Sequence, residues 1–130
     1  MPPILRLRCL LALAACRIHL RLFGLRRTVF VARHLAATRA TNTSQSLENG
    51  RAVASCIERV AALFPGRARC LEQSLTLFLI LRRMGLPAEL KLGAQALPFT
   101  AHAWVELFGE PLNGNAEEIR LLAPFPELPA

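Results

Sequence analysis

An α+β domain is the fold class the sequence predicts, on three observations. Apolar residues recur at helical spacing up to Met84, the period changes from 3.6 to 2 after Pro87, and Gly or Pro stands at each joint. Helices followed by a short antiparallel meander make the α+β layout. The 130 residues give room for one domain. With 53% hydrophobic and 19% charged residues, disorder is excluded and a packed core is expected.

Residues 4 to about 39 read as one or two Arg-studded helices, with Gly24 as the break. Arg6 and Arg8 precede the run Cys9 to Cys16, and Leu13-Ala-Ala-Cys16 imitates a lipoprotein cleavage site. That run is half of the roughly 20 apolar residues a membrane span needs. Arg17, Arg21, Arg26 and Arg27 follow at once, so a basic amphipathic helix explains the segment better. Residues 1–40 are therefore taken as a basic helical segment and 41–130 as the core of one compact domain. Deletion of residues 1–27 is expected to leave that core folded.

Thr41-Asn-Thr-Ser44 has turn and cap chemistry, and Ser46 with Asn49-Gly50 reads as the last loose point. A helix follows from Arg51, carried by Val53, Ala54, Ile57, Val60, Ala61 and Leu63, and Phe64-Pro65-Gly66 stops it. Cys70 opens the next helix, whose buried side is Leu71, Ser74, Leu75, Phe78, Leu79 and Leu81; Gly85 and Pro87 end it. Leu90 and Leu92 then alternate with Glu89 and Lys91. Ala101, Ala103, Val105 and Leu107 alternate with His102, Trp104, Glu106 and Phe108. Gly109-Glu110 is read as the next turn, Pro111 onward as a third extended piece, and the proline-bearing tail from Ala123 as an irregular strap.

Composition excludes several chemistries. The 16 bases comprise 15 Arg and Lys91 alone, all 9 acids are Glu, and the formal charge is +7. Without any Asp there is no Asp dyad and no Ser-His-Asp triad. The cysteines at 9, 16, 56 and 70 form no CxxC pair and no His is placed to build a zinc site with them, so no metal site is expected. They read as reduced thiols of a cytoplasmic protein, with Cys9, Cys16 and Cys56 in packing positions. His19 and His34 are expected at the surface. The Arg residues are spread with few aromatics among them, which argues against nucleic acid as a partner.

Cys70 and His102 are the pair that simple lengths bring together. The helix from Cys70 to Met84 runs about 22 Å out. The strand from Ala88 to Ala94 returns about 20 Å, so a connection from Gln95 to Thr100 brings His102 back beside the helix start. A thiol there feels the positive end of the helix dipole, with Arg67 and Arg69 adding charge, and both favour the thiolate. An adjacent imidazole takes its proton and later delivers it to a leaving amine. By spacing alone, a small core cysteine and a satisfied strand histidine account for the same residues.

Four blocks then carry a resemblance: Pro65-Gly-Arg-Ala-Arg-Cys-Leu-Glu-Gln-Ser-Leu75, Leu81-Arg-Arg-Met-Gly-Leu-Pro-Ala88, Pro98-Phe-Thr-Ala-His-Ala-Trp-Val-Glu106 and Pro111-Leu-Asn113. Together they resemble the leader peptidases of lasso-peptide biosynthesis, in the stand-alone form that works with a separate leader-binding protein. The likeness runs from about Val53 to Phe125. It implies a papain/transglutaminase-like fold with the catalytic Cys at a helix N-terminus packed on a short antiparallel sheet. The implied activity is cysteine-protease removal of a leader from a ribosomally made precursor peptide, with Cys70 the nucleophile and His102 the base. Implied partners are the precursor, the leader-binding protein and an asparagine-synthetase-like cyclase. No bound cofactor is implied, and the family's association with ATP belongs to the cyclase. Alternatives are a lapsed scaffold subunit and a transglutaminase-type acyl transferase. The segment from Ile4 to Leu35 is expected to dock on the cyclase, the leader-binding protein or the inner membrane face.

The departure lies at the third catalytic position. The family places Asp directly after Pro-Leu-Asn, where this chain has Gly114. An Asn can orient a His by accepting its N–H through the amide oxygen. If Gly109-Glu110 is a two-residue turn, Asn115 opposes Trp104 and Glu117 opposes His102, and both share the histidine's face with Asn113. Asn115 is the choice, with Glu117 and Asn113 as alternatives.

Overall fold

The computed structural model describes residues 3–35, 43–63, 70–96, 99–113 and 123–124. Among these residues three helices precede four strands: α1 (Pro3–Leu35), α2 (Thr43–Ala62), α3 (Cys70–Arg83), β1 (Ala88–Ala96), β2 (Phe99–Leu107), β3 (Glu110–Pro111) and β4 (Ala123–Pro124). The antiparallel sheet has the order β3-β2-β1-β4. The expected α+β class is the observed one.

Gly24 breaks α1 as its sequence position suggests, with φ 82 and ψ 175 inside the helical run. The hydroxyl of buried Thr28 donates to the Gly24 carbonyl at 2.7 Å and lies 2.7 Å from Nδ1 of His19. His19 is thus half-buried across the kink rather than a free surface residue, and its ring packs on Phe23. His34 is exposed.

The inner side of α1 belongs to the main core. Cys9 and Leu13 are fully buried with Val53, Cys56, Ile57 and Val60 of α2, Leu77, Phe78 and Leu81 of α3, and Val105 and Leu107 of β2. This corrects the expectation that residues 1–27 can be removed from a folded core. Their loss would open a cavity where two fully buried side chains stood, a change that costs several kcal/mol for a single large side chain.

Helix α2 begins at Thr43, upstream of the expected start at Arg51, and runs through Asn49-Gly50. Gly50 is buried there, with the leucine side chains of β2 and of the segment after β3 packed close against it. A Cβ at this position would stand 3.0 Å from Leu112 Cδ1 and 3.1 Å from Leu107 Cδ2. Helix α3 ends in a Schellman motif, with Leu86 N–H donating to Leu81 C=O and Gly85 N–H to Arg82 C=O. Gly85 takes φ 86, and Leu86 and Leu81 are both buried at the cap.

The hairpins differ in detail from the sequence reading. Strand β1 continues to Ala96, which pairs with Phe99, so the expected connection from Gln95 to Thr100 lies largely within the ladder. The next turn is Phe108-Gly109, not Gly109-Glu110: Leu107 pairs with Glu110 and Glu106 with Pro111. Both turn residues have positive φ, 52 and 80, as a type I′ turn requires. Glu110 instead joins the ladder and accepts from Arg51 Nη2 at 2.6 Å. Ala123 and Pro124 pair with Ala94 and Gly93 at the sheet's other edge, so this part of the expected strap is a short strand.

Phe108 is a bulky residue in a left-handed conformation and is largely exposed. That conformation costs a non-Gly residue on the order of 1 kcal/mol, less for Asn. Phe108→Asn is expected to raise stability by about 1 kcal/mol, seen as a Tm increase of roughly 3–5 °C. A thermal melt of the variant checks it.

Candidate active site

Cys70 is the first residue of α3, and Ser74 stands one turn, about 6 Å, further along the axis. In the leading hairpin, Leu107 pairs with Glu110 beside the turn, and Leu112 N–H donates to Val105 C=O at 2.8 Å. The alternation of an antiparallel ladder therefore turns the backbone groups of Leu107, Val105 and Ala103 toward β3, and those of His102, Trp104 and Glu106 toward β1. Strand β3 is too short to satisfy all of them. Two side chains complete the edge instead: Asn113 Oδ1 accepts from Val105 N–H at 2.8 Å, and Ser74 Oγ donates to Ala103 C=O at 2.9 Å. Asn113 Nδ2 then donates to Ser74 Oγ at 2.9 Å and closes the set.

This clamp fixes the start of the cysteine-bearing helix against the strand that carries the histidine. Ser74 touches the residue next to His102 and is fully buried. His102 is half-buried, and its cross-strand neighbour is Gly93, which has no side chain. Trp104, on the same face, is buried and donates from its indole N–H to Glu106 at 2.8 Å.

Helix α1 supports α3 from the other side. Arg17 Nε lies 3.8 Å from the nearly buried carboxylate of Glu72, and Thr76 donates to the Glu72 carbonyl at 2.8 Å. Cys16 sits beside both: burial and the Glu72 charge raise its pKa, against a hydrogen bond with Thr76 that lowers it. Cys9 is pushed up to about 12, first by burial and then by contact with Cys56. Cys9, Cys16 and Cys56 are buried thiols outside any disulfide, as packing positions require.

The candidate third residues separate. Asn113 lies within the described residues, with both ends of its amide engaged in the clamp. Asn115 and Glu117 lie outside them. Sequence reasoning placed Ser74 among apolar core positions and did not see its bond to β2. The available signal was a hydroxyl on the buried side of a helix, four residues after Cys70. Among the described residues, no three His, Cys or Glu side chains gather as a metal-binding set.

Cys70 thus opens a helix that Ser74 docks on the strand carrying His102, within an antiparallel sheet. The sequence matches the Transglutaminase-like superfamily over residues 11–125, and the chain belongs to that superfamily. It includes cysteine proteases and acyltransferases, and its chemistry is generally cysteine-based. No curated protein and no solved structure matches the chain.

Proposed function

We propose that this chain is a cysteine leader peptidase that cuts a lasso-peptide precursor between leader and core. The observation that carries the reading is the Ser74–Ala103 bond, which docks the first turn of α3 on β2 at the residue beside His102. The resemblance of the Cys-Leu-Glu-Gln-Ser-Leu and Ala-His-Ala-Trp-Val-Glu blocks supplies the substrate class.

In this mechanism His102 takes the Cys70 thiol proton and the thiolate attacks the scissile carbonyl carbon. The tetrahedral oxyanion is met by the N–H of Cys70 at the helix start. Collapse breaks the C–N bond, with His102 returning the proton to the leaving amine, and leaves a thioester on Cys70. Water, deprotonated by His102, then hydrolyses the thioester and restores the thiol. A separate leader-binding protein presents the precursor, and an asparagine-synthetase-like cyclase uses the freed core and any ATP. The enzyme would work in the cytoplasm.

Incubation with precursor and leader-binding protein should release leader and core, resolved by mass spectrometry. An amine adduct in place of the free acid would identify acyl transfer, the alternative that the same thioester permits. No turnover of either kind would leave the lapsed scaffold, which the missing Asp keeps in view.

Asn115 remains our choice for orienting His102, ahead of Glu117. What supports the choice is that an amide oxygen can accept the imidazole N–H. A neutral amide stabilises an imidazolium less well than a carboxylate does, so the enzyme should be slow. Gly114→Asp is expected to raise kcat, and Asn115→Ala to lower it by at least about tenfold less than His102→Ala does. If Asn115→Ala is silent and Glu117→Ala crippling, Glu117 is the orienting group. If all three substitutions are silent, Cys70 and His102 act as a dyad.

A further inference from the structure

The apolar residues of α1 fall on two nearly opposite faces, and only one of them is used by the fold. At 100° per residue, Leu5, Cys9, Ala12, Leu13, Cys16 and Leu20 form the inner face, packed on α2 and α3. Ile4, Leu7, Leu11, Ile18 and Leu22 fall within a sector of about 60° on the far side. These five remain 53–70% exposed, with Leu11 at 60% and Leu22 at 70%. A continuous stripe of large exposed aliphatics marks an interaction surface.

Charge selects what the stripe meets. Exposed Arg8 and Arg21 flank it on either side, and Arg26 and Arg27 continue the basic surface past the Gly24 kink beside exposed Phe30 and Val31. No acidic residue precedes Glu48, and eight of the sixteen bases lie before it. The rest of the chain holds eight bases against nine acids, so the excess positive charge of the whole protein resides in this segment. An apolar strip bordered by guanidinium groups, with no carboxylate to discriminate against anions, matches an anionic lipid surface. The aliphatic side chains enter the acyl boundary while the Arg stems snorkel to the phosphates. A protein groove would need its own acidic rim at matching positions, whereas a bilayer offers one everywhere. No helix among the described residues is long and apolar enough to cross a membrane, so α1 would lie on the surface.

We infer that the outer face of α1, from Ile4 to Leu22, is a docking surface for an anionic membrane. The inference needs no catalytic step and stands apart from the proposed function. The test is co-sedimentation of the full chain with phosphatidylcholine vesicles, with and without phosphatidylglycerol, at low and high salt. Binding is expected to the anionic vesicles only, and to fall with salt. Arg8→Ala with Arg21→Ala should weaken it by about 30-fold, at roughly 1 kcal/mol per base near such a surface. Leu11→Gln with Leu22→Gln should weaken it by at least as much, and both residues are exposed, so circular dichroism should show the fold retained. Equal binding to neutral vesicles would overturn the electrostatic part of the inference. Binding to neither, with self-association or with capture by the leader-binding protein or cyclase through the same stripe, would overturn it entirely.

Discussion

Replacing Cys70 by Ala is expected to stop leader removal, with a fall in rate on the order of 10⁴–10⁶. The thioester route depends on one sulfur, and no other cysteine can substitute. Cys9, Cys16 and Cys56 are buried, and the first two are held in the thiol form by burial. His102→Ala is expected to cost about 10²–10⁴, because a preformed thiolate at a helix N-terminus keeps part of the attack but loses the proton for the leaving amine. Timed cleavage of the precursor, read by mass spectrometry, measures both. Unchanged cleavage in either variant would remove that residue from the mechanism.

The second large effect is on stability and comes from Asn113. In Asn113→Ala the Val105 N–H loses its acceptor and Ser74 loses a donor, and both residues are fully buried. An unsatisfied buried group costs about 1–3 kcal/mol, so a Tm fall of roughly 10 °C is expected. Asn113→Asp separates the two bonds. A carboxylate still accepts from Val105 but faces the Ser74 oxygen without a proton to donate; a protonated carboxyl restores the donor. The folded state then holds a proton that the unfolded chain releases near pH 4, so the variant's stability relative to wild type falls as pH rises through that region. Parallel thermal melts at acid and neutral pH check the sign. If the Asn113→Asp variant were as stable as wild type at neutral pH, the bond to Ser74 would contribute nothing.

What the sequence made legible were features written locally. Gly24 needs a positive φ and breaks the helix; Gly85 followed by Pro87 caps α3; the change of period marks the sheet. Features decided by tertiary contact were not legible. Asn49-Gly50 has the chemistry of a turn, yet Gly50 lies within α2, where Leu107 and Leu112 pack close against it. The turn falls at Phe108-Gly109, one residue before the expected one, although Phe disfavours the conformation it adopts there; Glu110 is in the ladder and bonded to Arg51. The basic helical segment was separable in composition but not in packing, since Cys9 and Leu13 complete the core. Cys70 and His102 are singled out as candidates by type and spacing, whereas the Ser74–Asn113 clamp depends on where β3 ends and on which backbone groups it leaves to side chains.

The reactivity of the Cys70 thiol tests the central claim most directly, because it needs neither precursor nor partner. The native chain is treated with iodoacetamide across a range of pH, and the modified peptides are followed by mass spectrometry. With the other three thiols buried, Cys70 should be alkylated first, with a rate midpoint below the ordinary thiol value of about 8.5. In His102→Ala that midpoint should move upward, since the imidazole no longer accepts the proton. A midpoint near 8.5 that ignores the loss of His102, or a Cys70 no more reactive than in the unfolded chain, would contradict the assignment of these two residues as a catalytic pair.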